Sequence, residues 1–261
     1  MTFINKVVLV TGAGSGIGEA IAKHFAKLSA RLSLVDVNSG NLKKTAEACE
    51  KLSRSKVFTT VTDLTNDEDI RSLIAKTAKE YGRIDIVINC AATIGTKTIT
   101  DPDMIQEFDQ ILALNLRSVV SLTCAVAPEL IKSKGSMINI SSVTSSLPSI
   151  SLGYSVSKAA LCHFTRCMAS DLANHGVRVN LITPSLVKTN IFCNAGVNEY
   201  DIEHIWNKAP SFSLLNRMVK AEEVAEVAAF LASDKAIGIT GADYKIDCGM
   251  SLKRTPDILI A

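Results

Sequence analysis

Short runs of apolar, β-branched residues alternate along the chain with longer segments in which apolar residues recur every three or four positions. The short runs are nearly continuous in hydrophobicity, as in strands that are buried on both faces of a sheet. The alternation therefore predicts an α/β fold with a doubly wound parallel sheet and helices on both faces. The predicted strands are residues 6–11, 31–36, 56–63, 83–89, 136–141, 177–183 and 244–249.

The longer segments have the period of amphipathic helices. The stretch from about 185 to 219 breaks this rhythm, because it mixes Asn, Pro and Ser with scattered apolar residues. A long insert of this kind in a compact domain is either a functional lid or disordered. With no internal repeat and no linker, we expect one domain, 1–261, with a substrate lid at 185–219. The predicted helices are residues 16–28, 41–52, 67–81, 105–130, 157–175 and 222–234.

Composition and charge narrow the choice of partners. The 261 residues are 47% hydrophobic and 21% charged, with a net charge of +2, which is ordinary for a globular protein. The charges are spread, and no basic tract argues for a nucleic-acid partner. No uninterrupted apolar run reaches membrane-spanning length, so we expect a soluble protein with no membrane partner.

The seven cysteines favour a reducing compartment. Their number is odd and no Cys-x-x-Cys pair occurs, and the four histidines do not cluster with them. This pattern indicates free thiols and no metal site. Because the first residues also lack the features of a signal peptide, the expected location is the cytoplasm.

A glycine-rich turn lies between the first predicted strand and the first predicted helix. Gly12, Gly14, Gly16 and Gly18 allow the backbone to turn sharply and to approach a diphosphate closely. The helix N-terminus then offers unpaired N–H groups to that diphosphate. The alternative, a tight turn without a ligand, stays open for the glycines taken alone.

Two carboxylates end the next two predicted strands. Asp36 can hydrogen-bond an adenosine ribose 2′-hydroxyl and would repel a 2′-phosphate, which favours NAD over NADP. Asp63 can accept a hydrogen bond from an adenine amino group. An N-cap or Asx-turn role before the following helix explains Asp63 equally well.

Tyr154 and Lys158 stand four residues apart at the start of a predicted helix, so they share one face. A nearby ammonium favours the phenolate and lowers the pKa of a tyrosine, as would the positive ring of an oxidised nicotinamide. Such a tyrosine can take a proton from an alcohol or give one to a ketone. Alone, the pair is more typical of a solvated helix face.

The ordered set of motifs is far more specific than any single one. "TGAGSGIG", "NCAA", a mid-helix Asn115, "NISS", Tyr-x-x-x-Lys and "TPSLVKT" follow one another as in the short-chain dehydrogenase/reductase superfamily, which residues 5–252 resemble. The resemblance implies a Rossmann-like sheet of seven parallel strands and an active site of Ser, Tyr, Lys and Asn. It also implies a homodimer or homotetramer built on the helices at 104–131 and 153–174.

The resemblance assigns a role to each candidate residue. Tyr154 is the acid–base, Lys158 lowers its pKa and holds the nicotinamide ribose, a serine orients the substrate oxygen, and Asn115 anchors a relay water. The Val187 backbone and Thr189 meet the nicotinamide carboxamide. The remaining expected cofactor contacts are Gly12, Gly14, Ser15, Gly16, Ile17, Gly18, Asp36, Asp63, Leu64, Asn89, Ala91 and Pro184.

Two neighbouring serines compete for the catalytic role. Counting thirteen residues back from Tyr154, the usual interval in the family, selects Ser141. Aligning the strand "MINISS" selects Ser142 and places a one-residue deletion in the loop that follows. We favour Ser142, because loops absorb deletions whereas a slip in a strand turns every side chain to the other face.

Three departures from the family pattern weaken inference about the substrate. Residues 89–92 read Asn-Cys-Ala-Ala where the family has Asn-Asn-Ala-Gly, Pro-Gly becomes Pro184-Ser185, and Asp-Gly-Gly becomes Asp-Cys-Gly at 247–249. These changes also motivate an alternative class, a catalytically silent cofactor-binding scaffold or sensor. An NADP-dependent carbonyl reductase of the same family is a further alternative.

The substrate hypothesis is a lipophilic secondary alcohol or ketone, steroid- or isoprenoid-like. It depends only on apolar residues expected over the nicotinamide, which could instead pack on one another or at a subunit contact. They are Ile94, Leu147, Ile150, Leu152, Ile191, Phe192, Ile205, Trp206, Phe212 and Met218.

Overall fold

A computed structural model of the protein describes residues 1–149 and 151–253. Seven parallel strands form one sheet in the order β3-β2-β1-β4-β5-β6-β7, which confirms the predicted fold class. Every adjacent pair in this order is parallel. The strands are β1 Val7–Thr11, β2 Arg31–Asp36, β3 Phe58–Val61, β4 Ile86–Asn89, β5 Ser136–Ile140, β6 Arg178–Pro184 and β7 Asp243–Ile246.

The central strands are apolar on both faces because helices cover both sides of the sheet. In β1, Val8 and Val10 belong to one core cluster, whereas Leu9 between them belongs to a second cluster on the opposite face. Successive strand residues point to opposite faces, so one continuous apolar run fills two cores. All five β1 residues are buried.

Nine α-helices occur within the described residues. They are α1 Gly16–Lys27, α2 Ser39–Ser53, α3 Asp67–Tyr81, α4 Met104–Leu112, α5 Ser118–Ser133, α6 Leu152–Ala173, α7 Ile191–Asn194, α8 Glu199–Lys208 and α9 Ala221–Ala232. The single helix predicted over 105–130 is divided by a π-helical turn, Ala113–Arg117. The edge strands β3 and β7 are shorter than predicted. Their residues are alternately exposed and half-buried, unlike those of the central strands.

Within the described part of the chain, one continuous helical run is long and apolar enough to cross a membrane, Met104–Ser133. This corrects the expectation that no apolar run reaches that length. The expectation considered only stretches without polar residues, whereas this helix has polar residues between its apolar ones. In the structure α5 packs on α3, and α4 packs on α6. A core helix of an α/β sheet passes the same test of length and composition.

The predicted lid is mostly helical. It contains α7, α8 and a 3-10 turn over Ala209–Phe212. Val187 pairs with Val219 in an isolated bridge, so the segment leaves the sheet after β6 and returns to it just before α9. Ile150, which was expected to line the substrate pocket, lies outside the described residues.

Candidate active site

The glycine-rich turn contacts two other predicted cofactor residues. Gly12 and Gly16 have φ values of 65° and 55°, which L side chains rarely adopt. A Cβ on Gly12 would lie 2.8 Å from Ala91 Cα, and one on Gly16 would lie 2.7 Å from Thr189 Cγ2. The turn therefore sits against the end of β4 on one side and the segment after β6 on the other.

Asp36 closes the turn from the second strand. Its carboxylate oxygens accept hydrogen bonds from the backbone N–H of Gly14 and of Asn38, each at 2.8 Å. A Cβ on Gly14 would lie 2.9 Å from Asp36 Cγ. Each carboxylate oxygen has a further lone pair, so Asp36 can still accept from a ribose hydroxyl.

The residues present fit a dinucleotide. Ser15 is the N-cap of α1 but makes no side-chain capping bond, so the amides of the first helical turn stay available to an anion. The glycines form a cradle that any Cβ would fill. At the end of β4, Asn89 Oδ1 is buried and has no hydrogen-bond partner among the described residues.

Asp63 and Leu64 have structural roles. Asp63 accepts from the Thr65 backbone N–H at 2.9 Å and from the Thr65 hydroxyl at 2.7 Å, which lowers the pKa of Asp63. This is the Asx turn held open as its alternative interpretation. The helix N-cap is Asn66. The Leu64 side chain is buried in the core, so only its backbone could meet a cofactor.

Tyr154 and Lys158 occupy successive turns of α6. Lys158 Nζ lies 5.5 Å from the centroid of the Tyr154 ring. Nζ also donates a hydrogen bond to the carbonyl oxygen of Ile140, the last residue of β5, at 2.8 Å. The Lys158 side chain is 2% exposed. At the carboxyl edge of the sheet Lys158 is thus buried and Tyr154 half-buried, so the pair is not a solvated helix face.

Burial shifts the pKa of both members of this pair in the protein without cofactor. Burial raises the pKa of Tyr154 to about 12, although a hydrogen bond with Ser142 acts in the opposite direction. Burial also lowers the pKa of Lys158 to about 8. In the protein without cofactor the pKa of Tyr154 is therefore raised, because burial removes hydration from the phenolate. That Lys158 lowers this pKa stays a prediction.

The two candidate serines have different surroundings. Ser142 is the half-buried N-cap of the short 3-10 helix Val143–Ser145, and its side chain acts on Tyr154 by lowering the pKa of that phenol. Ser141 is 3% exposed, and its hydroxyl contacts the Lys158 carbonyl oxygen at 3.3 Å and Cys162 Sγ at 3.2 Å. Of the two serines, only Ser142 affects the pKa of Tyr154.

Asn115 lies in the π-helical turn and is fully buried. Its amide group donates to the Thr93 carbonyl oxygen at 2.8 Å and to the Ser157 hydroxyl at 3.1 Å, and its oxygen accepts from the Thr93 N–H at 2.8 Å. Ser157 in turn donates to the Tyr154 carbonyl oxygen at 2.7 Å. Asn115 therefore joins the loop after β4 to the helix that carries Tyr154.

Comparison with known proteins places this site in a family. A family sequence model described as "Enoyl-(Acyl carrier protein) reductase" matches residues 12–251. Meso-2,3-butanediol dehydrogenase of Serratia marcescens is 34% identical over 95% of this chain and 96% of its own length. The chain belongs to the short-chain dehydrogenase/reductase family. Its named relatives are oxidoreductases, which agrees with the sequence-based expectation of alcohol–ketone chemistry.

Solved structures of the same family share the whole architecture. The crystal structure of levodione reductase has a TM-score of 0.88 and 31% identity, covering 97% of this chain and 100% of that one. The crystal structure of NAD⁺-bound xylitol dehydrogenase has a TM-score of 0.85 and 26% identity, covering 94% and 99%. The seven-stranded sheet is thus common to these dehydrogenases and to this chain.

Two residues that had been given no role, Thr11 and Asn139, help to hold this family's site together. Thr11 Oγ1 accepts from the N–H groups of Cys90 at 3.1 Å and Ala91 at 3.2 Å, which ties the end of β1 to the end of β4. Asn89 Nδ2 donates to Asn139 Oδ1 at 2.7 Å. Thr11 precedes the glycine turn, and a polar residue inside an apolar strand was the available signal for Asn139.

Some of the apolar residues in the predicted lid pack against each other. The Phe192 and Trp206 rings pack edge to face with centroids 5.3 Å apart, and both are half-buried. Phe212 is 42% exposed and Leu152 is 37% exposed. The first pair matches the alternative that lid residues pack on one another, whereas Leu152 at the start of α6 remains free to contact a substrate.

Proposed function

We propose that the protein is an NAD-dependent oxidoreductase that interconverts a secondary alcohol and a ketone, with Tyr154 as the acid–base. The observation that carries this proposal is the arrangement of Ser142, Tyr154 and Lys158 at the carboxyl edge of the sheet. The Ser142 side chain acts on the Tyr154 phenol by lowering its pKa, and the buried Lys158 nitrogen lies 5.5 Å from the tyrosine ring. The named dehydrogenase and reductase relatives support the same chemistry.

A bound nicotinamide would accept or supply the hydride. The chain's own task is to move one proton at the substrate oxygen. The Tyr154 hydroxyl holds that proton, the Ser142 hydroxyl orients the oxygen, and the Lys158 ammonium supplies positive charge beside them. Thr189 and Ala91, which flank the glycine turn, would hold the cofactor on either side.

In the protein without cofactor, the Tyr154 proton is available for donation to a ketone. With a pKa of about 12, Tyr154 is a neutral phenol at pH 7 and can donate its proton. Alcohol oxidation requires the phenolate, so it needs a further positive charge near Tyr154 to lower that pKa. With a pKa of about 8, Lys158 is mostly charged at pH 7 and contributes to that field.

Asp36 is the basis for proposing NAD over NADP. Two backbone N–H groups hold its carboxylate in one position at the end of β2. A fixed negative charge there would repel a 2′-phosphate and accept a ribose hydroxyl. The NAD⁺-bound state of the related xylitol dehydrogenase is consistent with this choice. The alternative is an NADP-dependent reductase.

We retain a lipophilic alcohol or ketone as the proposed substrate, because Leu152, Phe212 and Leu214 present exposed apolar surface on α6 and in the predicted lid. Small diols are a second candidate, since a relative at 34% identity is a butanediol dehydrogenase. The two classes differ in the apolar area that a pocket can cover, so their relative turnover separates them.

A substrate panel tests the function. We would measure NADH formation or consumption with meso-2,3-butanediol, xylitol, levodione and a steroid secondary alcohol, and repeat the assay with NADP. Turnover that Tyr154→Phe abolishes supports the proposal. Wild-type protein that binds NADH but is inert across the panel would favour the silent scaffold, and equal turnover by Tyr154→Phe would reject the mechanism.

We also propose a cytoplasmic homodimer or homotetramer. All seven cysteines are free, as expected in a reducing compartment. The proposed contact surfaces are the helices around 104–131 and 153–174. Light scattering on the purified protein measures the mass, and a monomer at micromolar concentration would reject this part.

A further inference from the structure

The loop that follows β4 lies between the glycine turn and the helix of Tyr154. At one end, Ala91 packs against Gly12. Farther along, the Gly95 N–H donates to the Ser151 hydroxyl at 3.1 Å, and Ser151 is the buried N-cap of α6. Residues 93–97 are therefore placed where a substrate held between the cofactor turn and Tyr154 would meet them.

One carboxylate fixes the outer end of this loop. Glu107 of α4 accepts the Thr96 N–H at 3.0 Å with Oε2 and the Lys97 N–H at 2.9 Å with Oε1. Charge-assisted bonds of this kind are stronger than neutral ones, and two on one carboxylate also fix direction. The half-buried Glu107 thus orders two backbone groups in a segment without helix or strand hydrogen bonds.

Gly95 is matched to this carboxylate. A Cβ on Gly95 would collide with the Glu107 carboxylate oxygens. The φ of Gly95 is not positive, so its backbone is not in the left-handed region that requires glycine. The glycine is needed for the space that Glu107 occupies and not for an unusual turn, so a side chain at 95 acts by displacing Glu107.

We propose that Glu107 is a positioning residue for the substrate, acting through the wall formed by residues 93–97. This inference rests on the proposed function. Glu107 does not touch the reacting atoms. It sets the distance between the loop and Tyr154, which the Ser151 and Asn115 contacts fix from the other side.

Glu107→Gln and Gly95→Ala test this role by separate routes. The first keeps the side-chain size but replaces one acceptor oxygen by a donor, and the second pushes an intact carboxylate away. Each variant should raise KM at least fivefold for the panel substrate with the highest kcat/KM, while the Kd for NADH stays within twofold. The double variant should be no worse than either single one, because both remove the same contact.

Glu129→Gln is the matched control, since Glu129 of α5 is half-buried like Glu107 and pairs only with Lys132 among the described contacts. It should leave KM unchanged. Amide hydrogen exchange at Thr96 and Lys97 should accelerate at least tenfold in both test variants and not in the control.

Unchanged KM, or additive effects in the double variant, would overturn the positioning role even if exchange accelerates. Unchanged amide exchange would show that the two hydrogen bonds to the Glu107 carboxylate do not order the loop. If the wild-type protein is inert on the panel, the proposed function fails, whereas the exchange measurement still decides whether Glu107 orders residues 96 and 97.

Discussion

Lys158 and Tyr154 lie 5.5 Å apart, nitrogen to ring centroid, and burial shifts their pKa values away from each other. The pKa of Lys158 falls to about 8 and that of Tyr154 rises to about 12. In the protein without cofactor, the first proton released above neutral pH therefore leaves the lysine. As the pH rises, Lys158 therefore loses its positive charge before the Tyr154 phenol ionises.

This order predicts a pH-dependent stability. The folded protein binds the Lys158 proton less tightly than the unfolded chain, whose lysine has a pKa of 10.5. The penalty for burying the charge is complete below pH 8 and disappears as the pH rises toward 10.5. Lys158→Met should be more stable than wild type at pH 7, and its advantage should shrink by roughly 1–2 kcal/mol by pH 9.5. Urea denaturation at both pH values measures this, and a constant difference would contradict it.

The serine pair gives a second prediction. Ser142→Ala removes the hydroxyl that contacts Tyr154, so kcat/KM should fall about 100-fold. Ser141→Ala removes contacts with the Lys158 carbonyl and Cys162, so it should lower stability by about 1 kcal/mol and keep activity within a few-fold. Steady-state kinetics and thermal melts on both variants decide; the reverse pattern would make Ser141 the active-site serine.

A third prediction separates the two roles of Asp36. Asp36→Asn keeps one oxygen as an acceptor but loses the charge, and Asp36→Ala also leaves the Gly14 N–H without its partner. Both variants should lower the ratio of kcat/KM for NAD to that for NADP by at least about tenfold. The alanine variant should also lose more stability, about 1–3 kcal/mol, because it leaves both the Gly14 and the Asn38 N–H groups without an acceptor, whereas asparagine leaves only one. An unchanged ratio in both variants would remove Asp36 from cofactor selection.

A fourth prediction concerns the fit of the glycine turn. A Cβ on Gly18 would collide with the Gly12 carbonyl oxygen, so Gly18→Ala should weaken NADH binding at least about tenfold by distorting the turn. Gly238→Ala is the control, because a Cβ there has open space and φ is not positive. It should bind NADH normally and be neutral or slightly stabilised. Fluorescence titration of NADH compares them, and equal affinities would show that the turn adapts.

Much of the fold could be predicted because local pattern and burial agree along this chain. The run "VVLVT" is apolar at every position, and β1 is buried at every position because helices cover both sheet faces. The glycines and Asp36 could be predicted as one unit for the same reason, since the strand–turn–helix order brings them to one edge. In this region the local sequence pattern is sufficient to predict which residues lie together in the fold.

Three features depended on packing that no local pattern reports. The charge order of Tyr154 and Lys158 follows from lost hydration and not from their spacing in the sequence. The choice between Ser141 and Ser142 depends on how β5 faces α6. Glu107, which no motif marks, gained its partners only when α4 packed beside the loop. Each requires knowledge of what lies across an interface between elements.

The π-helical turn at Ala113–Arg117 makes the run from Met104 to Ser133 two helices that are out of phase with each other. A π turn holds one residue more than an α-helical turn, so deleting one residue from it would restore α-helical hydrogen bonding and could leave α4 and α5 in place. Asn115 would then lose the position from which it bonds the Thr93 backbone. The residue count of this stretch is therefore under constraint independently of its residue types, because the position of Asn115 depends on the additional residue.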